Sequence, residues 1–209
     1  MTIALLNLMQ KDYLLCYVEA MNASRNPLLL SLESIVGTTH DREASLQSAA
    51  ALIRASGNYR WVGLYDVDDA AGMVRNVTWT GPGAPEHPTF PLSKGLTGAA
   101  VALKQIVNVG DVLADPRYLT AFGTTRSEII IPVFDGEGRS VVGTIDVESE
   151  KPNAFDKDVQ DLLEACSVVI RPLWKSRPSR ATEFKSPNRR SEHLLSERSK
   201  NATRIPCRK

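Results

Sequence analysis

Apolar residues recur at steps of three and four in several stretches of the chain, which predicts amphipathic helices. The first such stretch covers residues 4–20. A second begins at Asn26-Pro27, where a capping side chain precedes a proline at the first helical position. A third helix is predicted over 41–55, and a closing helix with an apolar stripe from Phe155 to Ile170, capped by Asn153.

Between these helices the apolar pattern changes to short β-rich runs. Two runs flank the Asp-Asp-Ala-Ala-Gly turn at 68–72, and two more, Glu128–Phe134 and Ser140–Val147, flank the turn at 135–138, so that two hairpins are predicted. A short strand at 89–92, a small-residue helix at 94–105 and an extended segment to Val109 lie between the hairpins. Helices, an antiparallel sheet and a closing helix predict an α+β domain with helices packed on one face of the sheet.

The segment from Gly110 to Thr125 has little periodicity and contains Asp115-Pro116, so we expect a long loop with about one helical turn. Long loops over a compact sheet often carry function, and this one is the candidate roof of a binding site.

Composition divides the chain into three parts: an N-terminal helical extension at 1–26, a globular domain at 27–174 and a basic tail at 175–209. The tail carries 11 Lys and Arg against 3 Asp and Glu, although the whole chain has a net charge of only +1. A segment so poor in large apolar residues is expected to be disordered. Its charge would give non-specific contacts with nucleic acid at most, because no aromatic interleaving accompanies it.

Targeting and cofactor signals are absent from the sequence. No signal-peptide pattern or membrane-length apolar run is present, and the three cysteines show no C-x-x-C spacing, so a cytoplasmic protein without a membrane partner is expected. The three histidines are scattered and have no cysteine partner, which predicts no metal site. No phosphate-binding glycine pattern or Ser-His-Asp order occurs, and no cofactor is expected.

Three local patterns carry a family resemblance. They are Arg60–Tyr65 (RWVGLY), Lys94–Ala100 (KGLTGAA), and Arg126–Ile129 (RSEI) running into Gly143–Ser149 (GTIDVES). In this order and spacing the chain resembles a GAF domain from about residue 28 to 174, and within that superfamily it is similar to the free methionine-(R)-sulfoxide reductases. The resemblance implies a central antiparallel sheet in a small-molecule-binding fold.

The catalytic cysteines that this resemblance implies are missing. Reductases of that branch attack a sulfoxide with a thiolate and resolve the resulting sulfenic acid with another cysteine. The matching positions here hold His87, Thr97 and Ala121. Cys16 and Cys166 fall on helical core stripes, and Cys207 lies in the tail. We therefore assign no catalytic residue and expect no redox reaction.

The pocket residues of the resemblance are retained. Five positions match the aromatic wall and the acidic amine-binding group of the reductases: Trp61, Tyr65, Glu128, Asp146 and Glu148. Carboxylates beside aromatic rings suit a small cation through charge pairing and cation–π attraction. The alternative is structural: Glu128 and Asp146 recur at strand ends and turns of many GAF domains, and Glu128 could pair with Arg126 or cap a turn.

Three functions remain open at this point. The chain is predicted to be a ligand-binding sensory or regulatory module for signal transduction, in which a small molecule shifts the population of conformations. One alternative is a methionine sulfoxide reductase-like enzyme. The other is a structural module in which the N-terminal and last helices pair in a homodimer and the pocket is vestigial.

Overall fold

The computed structural model describes residues 26–38, 41–120 and 122–174. Apart from Asn26, the predicted N-terminal extension lies outside these residues, and so does the predicted tail at 175–209. Cys16, Ala121 and Cys207 lie outside them as well. The predictions for these parts of the chain stay predictions.

The described residues form four α-helices and six strands. The helices are α1 (Pro27–Thr38), α2 (Arg42–Gly57), α3 (Gly95–Leu103) and α4 (Lys157–Ile170), and the strands are β1 (Trp61–Asp68), β2 (Met73–Thr80), β3 (Thr89–Pro91), β4 (Val107–Val109), β5 (Ser127–Phe134) and β6 (Val141–Ser149). Both predicted hairpins and all of the predicted helices in this part are present. The segment at 110–125 contains one 3₁₀ turn, Val112–Ala114, and is otherwise loop, as its lack of periodicity predicts.

The strands form one antiparallel sheet in the order β3-β2-β1-β6-β5-β4. The central strand β6 carries two of the predicted pocket carboxylates and pairs with β1 on one side and β5 on the other. Its Glu148 lies opposite Trp61 of β1 and opposite Glu128 of β5. This register brings residues that are 87 positions apart in sequence, Trp61 and Glu148, into cross-strand contact distance.

Strand alternation gives the sheet two different faces. One face presents Val62, Leu64, Ile129 and Ile145 to a large core that α1, α2 and α4 complete. The expectation of helices packed on one face holds for these three helices. The short helix α3 lies on the opposite face, where its Leu96 and Ala100 pack against Ile130 of β5.

The last helix begins three residues later than the capping prediction implied. Asn153 is not its cap: it adopts a left-handed backbone with φ of 52°, and its N–H donates to the Gly110 carbonyl at 2.9 Å. Asp156 is the cap, and its Oδ1 accepts from the Val159 N–H at 2.9 Å. Asp156 caps the helix because its backbone is extended and its carboxylate can accept from the free N–H groups of the first turn. Asn153 cannot do so, because its left-handed backbone belongs to the preceding turn.

No helix in the described ranges is both long enough and apolar enough to cross a membrane.

Candidate functional site

A small cavity lies between the sheet face that faces α3 and the loops at 81–88 and 110–125. Its volume is about 40 Å³, enough for a few water molecules. Twelve residues line it: Trp61, Tyr65, Pro85, His87, Phe90, Gly95, Leu96, Thr97, Leu119, Glu128, Asp146 and Glu148. All five predicted pocket residues are therefore brought together.

The aromatic wall depends on a glycine in β1. Trp61, Gly63 and Tyr65 alternate onto the cavity face, and the two rings lean over the glycine with centroids 6.4 Å apart. A Cβ on Gly63 would stand 2.1 Å from the Trp61 ring and 2.9 Å from the Tyr65 ring. Phe90 of β3 extends the wall, with its ring 5.9 Å from that of Tyr65 in an edge-on arrangement.

Asp146 is held on both carboxylate oxygens by threonine hydroxyls. Thr97 of α3 donates to its Oδ2 at 2.9 Å, and Thr144 of the same strand donates to its Oδ1 at 2.8 Å. Burial raises the pKa of Asp146 to about 7, with a further contribution from the charge of Glu148, although both hydroxyls act in the opposite direction.

Glu148 accepts a hydrogen bond from the hydroxyl of Thr125, at the end of the 110–125 loop. Burial raises the pKa of Glu148 to about 7, while the Thr125 hydroxyl and the nearby Arg60 guanidinium favour its charged form.

Glu128 differs from the other two carboxyls. It is 8% exposed and lines the cavity, yet within the described part of the chain its side chain has no hydrogen-bond or ion-pair partner. Arg126, the partner that the structural alternative suggested, has its guanidinium 3.7 Å from Asp111 instead. Burial, and then the charges of Glu148, Asp146 and Asp115, raise the pKa of Glu128 well above its ordinary value.

Loop residues pack around the aromatic wall of the cavity through specific contacts. The Trp61 indole donates to the Gly83 carbonyl at 3.1 Å, which ties β1 to the 81–88 loop. The Phe122 ring lies 5.9 Å from that of Trp61, and the Arg60 guanidinium stands 5.1 Å above Phe122. Leu119 lines the cavity from the 110–125 loop, so the predicted roof contributes to the site.

The three positions at which the resemblance implied cysteines differ in where the structure places them. Thr97 and His87 both line the cavity; Thr97 is buried, whereas His87 is exposed to solvent. Ala121 is outside the described residues. Cys166 is buried in the core on the other face of the sheet, as predicted, and burial raises the pKa of its thiol to about 12.

Sequence reasoning missed the three threonine hydroxyls. Thr144 could have been found, because it lies two residues before Asp146 and so shares its face. Thr97 was noted only as a position without a thiol, and no local pattern connects Thr125 with Glu148. No group of His, Cys, Asp and Glu in the described residues is arranged to hold a metal ion.

Comparisons with known proteins find relatives that share this fold. The sequence profile of the GAF domain family matches residues 41–170. Among curated relatives, GAF domain-containing protein A of Dictyostelium discoideum is 28% identical over 62% of this chain and 79% of its own length. The free methionine-R-sulfoxide reductase of Saccharomyces cerevisiae is 28% identical over 68% of this chain and 81% of its own length.

A solved structure of similar identity belongs to the same branch. The free methionine-R-sulfoxide reductase of Neisseria meningitidis, in complex with its substrate, is 30% identical and superposes with a TM-score of 0.65. The alignment covers 70% of this chain and 86% of that one. The similarity therefore extends over nearly all of the described domain.

Proposed function

The chain belongs to the GAF domain family, and from that premise we propose that it is a ligand-binding regulatory module whose pocket accepts a small molecule carrying an ammonium group. The observation that carries this proposal is Glu128. A buried carboxyl group without a protein donor is costly, because folding removes part of its water and no protein group takes that water's place. An ammonium ion in the cavity would supply the missing donors.

The neighbouring groups favour the same class of ligand. Asp146 and Glu148 add negative charge on the same face of the sheet, and the rings of Trp61 and Tyr65 line the same cavity. A cation over an aromatic face gains about 0.5–2 kcal/mol, and a charge-assisted hydrogen bond is roughly twice as strong as a neutral one. An anionic ligand would meet three carboxyls and no lysine or arginine among the lining residues.

A thermal-shift experiment tests the proposal. We expect wild-type protein at pH 8 to melt at a higher temperature with one or more members of a panel of free amino acids and alkylammonium ions, since a ligand at 100 times its Kd adds about 2.7 kcal/mol. The Glu128→Gln variant should respond less. Glu137→Gln is the matched control, because Glu137 is exposed on the turn between β5 and β6 and does not line the cavity. If no member of the panel raises the melting temperature of the wild-type protein, the amine-binding proposal is wrong.

A reductase activity is the second candidate, because two of the relatives above are named free methionine-R-sulfoxide reductases. The cavity argues against it: none of its lining residues is a cysteine, and Thr97 uses its hydroxyl to hold Asp146. Cys166 lies across the sheet, and its raised pKa keeps the thiol protonated and therefore a poor nucleophile.

An activity assay separates the two candidates. With free methionine sulfoxide and a dithiol donor, we expect no turnover above that of the dithiol alone. The same turnover is measured for three variants in which serine replaces Cys16, Cys166 or Cys207, to show whether any activity depends on a thiol. Turnover by wild type that one of these substitutions abolishes would establish the enzyme and exclude the non-catalytic module.

A further inference from the structure

The three carboxyls of the cavity are not equivalent in their hydrogen bonding. Asp146 accepts a hydroxyl on each oxygen, from Thr97 and Thr144. Glu148 accepts one hydroxyl and has the Arg60 guanidinium nearby. Glu128 accepts none among the described residues. A negative charge is therefore supported by donors at Asp146 and Glu148 but not at Glu128.

The surroundings of Glu128 make a charge there still less favourable. Asp146 and Glu148 approach it from β6, Asp115 adds a further negative charge from the 110–125 loop, and the Tyr65 hydroxyl faces the cluster from β1. His87, which is exposed to solvent, lines the same cavity. Arg60 acts on Glu148 rather than on Glu128, and Arg126 is directed toward Asp111.

We propose that Glu128 is the group at which this pocket exchanges a proton for its cationic ligand, so that occupancy depends on pH as well as on ligand concentration. This inference rests on the proposed function, because it requires that a cation enters the cavity. It adds a regulatory property: the pocket would respond to pH and amine concentration together.

The exchange balances in charge and in atoms. Burial and the neighbouring carboxyls raise the pKa of Glu128 and so favour its neutral carboxylic acid form in the empty pocket. When an ammonium ion arrives, the O–H bond of Glu128 breaks, the proton passes to solvent, and an ammonium N–H donates to the carboxylate that remains. The cavity exchanges one positive charge for another, and its net charge does not change.

Linkage fixes the sign and size of the pH effect. Because binding releases a proton, raising the pH favours binding, by about tenfold in affinity per pH unit for each proton released. The slope persists up to the pKa of Glu128 in the empty pocket and vanishes above it. Asp146 and Glu148, with pKa values of about 7, add to the proton count at pH values below 7.

Calorimetric titration with n-butylammonium chloride tests the exchange. A simple alkylamine stays protonated below pH 8.5, as a lysine side chain does, so that the protein alone supplies the released protons. Titrations at pH 6, 7 and 8, each in two buffers of different ionisation enthalpy, give the affinity and the number of protons released. We expect affinity to rise with pH and Glu128→Gln to lower the number of protons released, by at most one. Glu137→Gln should behave as wild type.

The outcomes distinguish this inference from the proposed function. Binding that releases no protons and does not vary with pH would overturn the exchange and leave amine binding intact. An unchanged proton count in a folded Glu128→Gln variant, checked by its melting curve, would overturn the assignment to Glu128. If neither n-butylammonium nor any free amino acid binds wild type at pH 8, the proposed function fails, and the exchange fails with it.

Discussion

At the scale of single residues, the site depends on small side chains that hold larger ones in place. Gly63 leaves room for the Trp61 and Tyr65 rings, and the hydroxyl of Thr97 holds Asp146 through a direct hydrogen bond. Thr97 occupies a position at which the family resemblance implied a reactive thiol. The same position thus provides a fixed hydrogen-bond donor here.

Replacing Thr97 with valine tests this holding role. The substitution removes a donor to the charged form of Asp146, so the pKa of that carboxyl should rise further above about 7. At pH 8 the variant should lose roughly 1–3 kcal/mol of stability, the usual cost of breaking a hydrogen bond to a charged group. Carbon-13 NMR of the aspartate carboxyls gives the pKa, and urea unfolding gives the stability. Thr97→Ser, which keeps the hydroxyl, is the control, and equal midpoints for valine and wild type would contradict the assigned bond.

The carboxyl groups of the site could be predicted from the sequence, but the residues that donate hydrogen bonds to them could not. Alternation along β6 places Asp146 and Glu148 on one face, and the resemblance added Trp61, Tyr65 and Glu128. What local pattern cannot provide is the pairing of Thr97 with Asp146, because 49 positions separate them and only the packing of α3 against the sheet joins them. The isolation of Glu128 is likewise a property of the packed structure, since Arg126, two residues away, was an equally reasonable partner.

At the scale of elements, the helices and hairpins follow closely from the sequence, and the errors lie at their ends. The hairpin between β5 and β6 has a polar turn between two apolar runs, so its strands were predicted to within two residues. The start of α4 was predicted three residues too early, because asparagine and aspartate both cap helices and the sequence offers Asn153 as well as Asp156. Only the hydrogen bond from Asn153 to Gly110 decides between them, and that contact spans 43 positions.

Paired substitutions at the start of α4 test the corrected cap. Asp156→Ala should destabilise the protein by about 1 kcal/mol, because the Val159 N–H loses its acceptor and the first turn loses a negative charge. Asn153→Gly should change the stability by only a few tenths of a kcal/mol, since glycine accepts a φ of 52° without strain. Urea unfolding at pH 7 measures both. The reverse order of effects would restore Asn153 as the cap.

At the scale of the whole molecule, the two faces of the sheet have different roles. The face covered by α1, α2 and α4 is an apolar core that includes Cys166. The opposite face carries three carboxyls under loops and one short helix. Apolar burial on the first face stabilises the fold, whereas burial on the second raises the pKa values of the three carboxyls and so makes their ionisation costly. Pairing into a homodimer through the helices stays a prediction.

That cost predicts how the stability of the ligand-free protein depends on pH. Asp146 and Glu148 have pKa values raised to about 7, so between pH 4 and 7 the folded protein binds more protons than the unfolded chain. Its free energy of unfolding should therefore fall as pH rises through this window, by at most about 1.4 kcal/mol per pH unit for each group. Carboxyls with lowered pKa, such as Asp135, act in the opposite sense and only in more acidic solution.

Urea unfolding at half-unit steps from pH 5 to 8, without amines in the buffer, measures this dependence. Asp146→Asn removes one of the titrating groups, and its stability should fall less steeply over the same range, whatever its absolute value. Adding an alkylammonium ligand should flatten the curve of wild type as well, because the ligand stabilises the ionised carboxyls and binds better as the pH rises. A wild-type stability that stays level or increases from pH 5 to 7 would mean that the cavity carboxyls ionise without cost, and the electrostatic basis of the ligand proposal would be lost.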